Sequence, residues 1–136
     1  KPTFIEKTKG NSNIKFIDKL PKQQIQSLLS HVDCCFIGRS DTPLFDYGVA
    51  SNKYFDYMLA RKPVLEASNP FESPAQRSGC ALTVTPEDPE AIVKGLLQLH
   101  EKCSKDLDKM GTMGYQYVVK YHNFEWLSKK YLKLFE

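Results

Sequence analysis

No apolar run in the 136 residues approaches the roughly 20 needed to cross a bilayer, which excludes a transmembrane helix. The four cysteines, Cys34, Cys35, Cys80 and Cys103, form no C-x-x-C pair, so zinc and thioredoxin-like chemistry lack their usual ligands. H-x-E, H-E-x-x-H and clustered acidic ligands are missing, and no metal is implied. G-x-S-x-G and a Cys/His pairing are missing too, which removes the common hydrolase signatures. Without G-x-G-x-x-G there is no dinucleotide fingerprint. Charge of one sign is scarce: 19 Lys and Arg against 16 Asp and Glu leave a net +3. That balance suits a phosphate-bearing ligand and is too weak to argue for nucleic acid. There is no internal repeat, low-complexity segment or linker.

What is present is the composition of a soluble globular protein, 41% hydrophobic and 26% charged, of a length that makes one compact domain. The chain begins at Lys1 with no visible signal peptide and reads as a piece of a longer protein. Cys34 and Cys35 sit together in an apolar run, and all four cysteines read as free thiols of a reducing compartment.

Short apolar runs alternate with helical stripes. Lys1–Gly10 reads as the tail of a helix or loop, followed by a turn at Asn11–Asn13. Ile14, Phe16 and Ile17 predict a short strand ending at Asp18, with Phe16 pointing into the core. Pro21 suits a first helical position, and Ile25, Leu28 and Leu29 carry a helix ending near His31. Cys34–Ile37 predicts a second strand, closed by Gly38. Pro63–Ala67 predicts a third, Ser73–Ser78 a short helix and Ala81–Thr85 a fourth strand. Asp88 caps the next helix, with Pro89 at its first position and Ile92, Leu96 and Leu99 as its stripe. Ser104–Tyr121 is a further helix, in which Gly111 and Gly114 either permit close packing or break it. Asn123 caps a last helix, Phe124–Phe135, striped by Leu127, Tyr131 and Leu134. Helices between short strands imply parallel pairing, hence an α/β domain with a mostly parallel sheet.

The stretch Asp46–Val64, DYGVASNKYFDYMLARKPV, carries the functional signal. Gly48 gives its loop backbone freedom. Ser51 is a good cap type, and Tyr54, Phe55, Met58 and Leu59 share one sector of the helix that follows. Pro63 stops that helix at Ala60 and Arg61. Asn52, Lys53 and Asp56 take the other side. Free amides and the helix dipole at such an N-terminus favour an anion, and the backbone around Gly48–Ser51 adds donors. Lys53 adds a point charge suited to phosphate. Asp56 is an acceptor able to take both hydroxyls of a cis-diol. A diphosphate followed by a ribose satisfies both ends. An amphipathic helix with a merely solvated polar face has the same spacing.

This stretch resembles the donor-binding segment of glycosyltransferase family 4, the retaining GT-B enzymes, and most closely the branch with an SNK or PNK triplet that builds bacterial surface polysaccharide or O-antigen. Asp56 matches the second acidic residue of the family's E-x7-E motif, which holds the nucleotide ribose. The first acidic position falls on Gly48, and Arg61 stands where a glycine is usual. The run SGCALTVTPEDPEAI and the aromatic C-terminal stretch resemble later family segments, so the likeness covers nearly the whole chain.

The resemblance implies a Rossmann-like three-layer domain, the C-terminal half of a GT-B fold, spanning 1–136. Its first strand and helix would be missing, and the helix in 123–136 would pack on an absent N-terminal domain or mediate self-association. It further implies a nucleotide-sugar donor, a UDP-sugar, and transfer of a hexose or N-acetylhexosamine to a lipid-linked saccharide, without a metal or other cofactor. Gly48, Ser51, Asn52 and Lys53 would hold the diphosphate, Asp56 the ribose, and Asp18 and Lys19 the base. The catalytic groups would lie in the absent domain. The setting would be cytoplasmic, at the inner face of the cytoplasmic membrane. Two other readings share the alternating pattern: a flavodoxin-like or receiver-like regulatory module, and a GT-B-like UDP-sugar epimerase. His31, His100 and His122 all fall near helix ends, as surface or dipole-stabilised histidines do.

Overall fold

The computed structural model describes residues 2–43, 51–69 and 72–135. In chain order the elements are α1 (Pro2–Lys7), α2 (Lys22–Ser30), β1 (Cys35–Gly38), α3 (Asn52–Leu59), β2 (Val64–Ala67), α4 (Pro74–Ser78), β3 (Ala81–Val84), α5 (Pro89–His100), α6 (Ser104–Tyr121) and α7 (Phe124–Leu132). The strands pair in the order β1-β2-β3, all parallel, with Cys35 opposite Val64 and Val64 opposite Ala81. The domain is therefore mixed α/β with an open three-stranded parallel sheet. Among the described residues no helix is long and apolar enough to cross a membrane.

The middle strand explains the layering. All four residues of β2 are buried, so both of its faces are covered. Alternate residues point to opposite faces. Leu65 and Val84 meet Gly95 of α5 on one side. Val64 joins Ile37, Tyr54, Met58, Ala75, Cys80 and Val118 on the other, where α3, α4 and α6 supply the cover. Glycines in α5 and α6 are contact points. A Cβ at Gly95 would come within 2.7 Å of Leu65 Cδ1, and one at Gly111 within 2.0 Å of the Arg61 carbonyl oxygen. Their helices accept the propensity cost of about 1 kcal/mol per glycine and gain close approach. Gly111 and Gly114 permit packing and do not break α6.

Five expectations need correction. Ile14–Ile17 forms no strand: it runs without sheet pairing, and Ile14, Phe16 and Ile17 are exposed. A strand needs a neighbour for its backbone groups, and no described strand lies beside this segment. Phe16 consequently faces solvent and not the core. The strand Cys34–Ile37 is shifted to Cys35–Gly38, and the one at Ala81 stops at Val84. The last helix ends at Leu132, three residues before Phe135.

Candidate functional site

Helices α2 and α3 lead into neighbouring parallel strands, and two bonds hold the helices side by side. Lys62 Nζ, just past α3, donates to the Ser30 carbonyl at the end of α2 at 3.1 Å. Gln26 Nε2, midway along α2, donates to the Asp56 carbonyl at 3.1 Å. With their C-termini together at the amino end of the sheet, both N-termini lie at its carboxyl end. Open α/β sheets bind ligands beyond that edge.

Of the residues singled out from the sequence, Asp18 and Lys19 precede α2, Ser51, Asn52 and Lys53 begin α3, and Asp56 lies midway along it. Asp18 and Lys19 are exposed in the segment entering α2, and Asn52 and Lys53 are exposed in the first turn of α3. Asp56 follows Lys53 by three positions, on the same side of α3, and is half-buried. Ser51 occupies the N-cap position with extended backbone, but its side chain makes no capping bond. The backbone does part of that work, with the Tyr54 amide reaching the Ser51 carbonyl at 3.3 Å. Among the described residues the first turn of α3 thus carries no side-chain cap, as at α2 and α6, whereas Asp88 and Asn123 accept helix amides at α5 and α7. Gly48 lies outside the described residues.

Beneath α3 is a cluster that the sequence reading missed. Glu66, in the middle of β2, is fully buried. Its Oε1 accepts from the Tyr54 hydroxyl at 2.5 Å and from Ser68 Oγ at 3.0 Å, and its Oε2 accepts from Ser73 Oγ at 2.6 Å. Arg39, the residue after β1, completes the set: its Nη2 lies 3.5 Å from Glu66 Oε1 and also donates to the Tyr54 hydroxyl. Ser73 is doubly used, because its Oγ accepts the Gln76 amide at 3.1 Å while Gln76 Oε1 accepts the Ser73 amide, a reciprocal cap on α4. A buried carboxylate is tolerated only when paired and hydrogen-bonded, and here three hydroxyls and a guanidinium do both. Burial, followed by the Glu66 carboxylate, pushes the Tyr54 phenol well above its ordinary value. Tyr54 therefore stays a protonated donor. The cluster is a clamp that fixes the start of α3 and the start of α4 to the ends of β1 and β2. Nearby, Asn69 Nδ2 donates to Asp41 Oδ1, tying together the segments that leave β2 and β1.

The signal for this cluster was present in the sequence. A lone glutamate inside the apolar run PVLEA, with an arginine straight after the preceding strand, marks a charge that must be paired once buried. His122 stacks on Phe55 at 4.6 Å and Tyr117 at 5.5 Å, and burial, then Lys130 and Arg77, hold its pKa below the ordinary value. Cys34, Cys35, Cys80 and Cys103 are free thiols, and burial pushes Cys35 up to about 12. Cys35 and Cys80, both buried, stay protonated and unreactive.

No protein-family model matches this chain. No curated protein and no solved structure matches it at a significant level.

Proposed function

We propose that this chain is the donor-binding domain of a retaining glycosyltransferase of the GT-B type, with a Rossmann-like sheet of which the three described strands are part. It binds a nucleotide-sugar, a UDP-sugar, for transfer of a hexose or N-acetylhexosamine to a lipid-linked saccharide in the synthesis of a surface polysaccharide. One observation carries this reading: the first turn of α3, uncapped by the Ser51 side chain and bearing Lys53, stands at the carboxyl edge of a parallel sheet on a buried clamp. Such an N-terminus favours a diphosphate, and a fixed dipole costs no reorganisation when charge develops on the leaving group. Lys53 contributes a charge to the departing diphosphate. Asp56, on the same side of the helix, accepts the ribose diol. Asp18 and Lys19, entering at the same edge, face the base.

A second wall is needed for transfer, since holding two reactants in register is worth roughly 7–11 kcal/mol. Exposed apolar side chains support a larger whole: Phe36 of β1 is half exposed, as are Ile14, Phe16 and Ile17 outside the sheet. The isolated chain is accordingly a binding module.

The test is titration with UDP and GDP, followed by calorimetry and by amide shifts. Shifts should concentrate at Ser51–Asp56. Lys53→Ala should weaken binding by about 1–3 kcal/mol, the value of a charge-assisted contact. Asp56→Asn should weaken UDP much more than pyrophosphate. Saturating nucleotide without shifts in that stretch would sink the proposal.

A further inference from the structure

The geometry points to the open depression between α4 and α6 as a binding site for a small aromatic phosphate monoester. Two elements build it. Met113, Gln116, Tyr117, Lys120 and Tyr121 follow the i, i+3, i+4, i+7, i+8 spacing of one face of α6. Arg77, in the last turn of α4, lines the cavity from the other side, and its volume is about 240 Å3. Met113 is seated by a bare backbone. Gly79 has a left-handed φ of 78°, and a Cβ there would collide with Met113 Cε.

The lining offers a partner to each half of such a ligand. Tyr117 and Tyr121 are half-buried, with ring centroids 5.0 Å apart and planes tilted by 56°. Together with the Met113 thioether they suit an aromatic ring. Arg77 and Lys120 supply two cations for a phosphate dianion. Lys120 Nζ stands 4.9 Å over the Tyr121 ring and pairs with no acid among the described residues. Arg77 meets Glu72 through Nε at 3.2 Å, an exposed pair of small worth, and its fork suits a phosphate. The positive sign extends behind the tyrosines. His122 lies 5.5 Å from Tyr117, and after burial it is Lys130 and Arg77 that disfavour its proton. Size sets the limit. Drug-sized ligands occupy about 300–1,000 Å3, so this smaller cavity takes one ring and one acidic group.

The site shares no residue with Ser51–Asp56, and its test does not depend on the nucleotide reading. Phenyl phosphate is titrated into the whole chain, with inorganic phosphate and phenol as the two half-ligands. Backbone amide and methionine methyl shifts are followed by NMR. Shifts are expected at Arg77, Met113, Gln116 and Tyr117. Phenyl phosphate should bind at least about ten-fold more tightly than either half, because each half forgoes one set of contacts. Arg77→Gln and Lys120→Gln should each weaken it about ten-fold, the worth of one charge-assisted contact. Gln116→Glu, which adds an acid to the lining, should weaken it as well. Lys133→Gln, on a lysine outside the lining, should leave it unchanged. These side chains are exposed, so circular dichroism should be the same for all four variants. Absent shifts at about 10 mM phenyl phosphate, well above a weak Kd of about 1 mM, would overturn the proposal. So would inorganic phosphate binding as tightly, or equal weakening by Lys133→Gln, since either marks diffuse surface charge and not a pocket.

Discussion

The Tyr54 hydroxyl donates to Glu66 Oε1 at 2.5 Å, which fastens the first turn of α3 to the middle of the sheet. Removing Glu66 takes a buried ion-pair partner from the Arg39 guanidinium and the shared acceptor from three hydroxyls. Glu66→Ala should therefore cost about 3–5 kcal/mol in urea unfolding, and Tyr54→Phe about 1.5–3 kcal/mol. The two losses should not add, because both variants break the same bond. Additive losses in the double-mutant cycle would show that the clamp is not one unit.

Alkaline pH should undo the fold through groups whose protons the native state holds. Burial, then the neighbouring Cys34, raises Cys35 from its ordinary 9.0 to about 12, and burial also raises Tyr54 above its ordinary 10.0. Both are neutral when protonated, so the folded chain binds more protons than the unfolded one above about pH 9. Their stabilisation is fully present below that pH and is lost as pH rises toward 12. Stability measured at stepwise pH should fall over this window. Cys35→Ala should flatten its lower part and Tyr54→Phe its upper part; an unchanged slope in both variants would refute the assignment.

Mild acid acts through His122, with the opposite sign. Its folded pKa lies below the ordinary 6.5, by burial first and then by Lys130 and Arg77. The unfolded chain binds the extra proton first, so the contribution is present above pH 6.5 and lost as pH falls through the folded value. NMR titration of the ring should give a midpoint below 6.5, and His122→Phe should remove this part of the acid sensitivity.

At the close contact between α6 and the turn after α3, helix propensity and packing disagree, and packing should win. Gly111→Ala improves propensity by about 1 kcal/mol, but it drives a methyl into the Arg61 carbonyl and should destabilise by about 1–3 kcal/mol net. Arg61 has a left-handed backbone, with φ of 55°. Arg61→Gly should relieve about 1–2 kcal/mol of strain and forfeit about 0.5–1 kcal/mol from the guanidinium stacked 4.2 Å over Tyr115, a small net gain. Thermal melts of the two variants should move in opposite directions.

Much of this architecture was legible because local rules agreed with the fold. Pro63 ended α3, Asp88 and Pro89 opened α5, Asn123 opened α7, and the alternation of runs and stripes gave parallel pairing. Ile14–Ile17 failed for a non-local reason: apolar residues at strand spacing specify a strand only where a neighbour takes their amides. The clamp went unread because a glutamate in a strand gives no periodic signal. Its partners lie before and after it in the chain, from Arg39 to Ser73, and only the folded sheet brings them together. Lys53 and Asp56 were legible as a pair because three positions on a helix fix a shared side; the position of their helix at the carboxyl edge came from the sheet.

Glu66 also matters before the chain folds. The run Pro63–Ala67 has the highest concentration of buried residues in the sheet. In a nascent or unfolded chain, PVLEA with its single carboxylate interrupts what would otherwise be a sticky, self-pairing strand. A hydrophobic replacement at Glu66 together with Arg39 could match the native stability, as buried ion pairs often allow. It would at the same time remove the gatekeeper charge, so the cost of losing this residue would surface as inclusion bodies and failed refolding at high concentration.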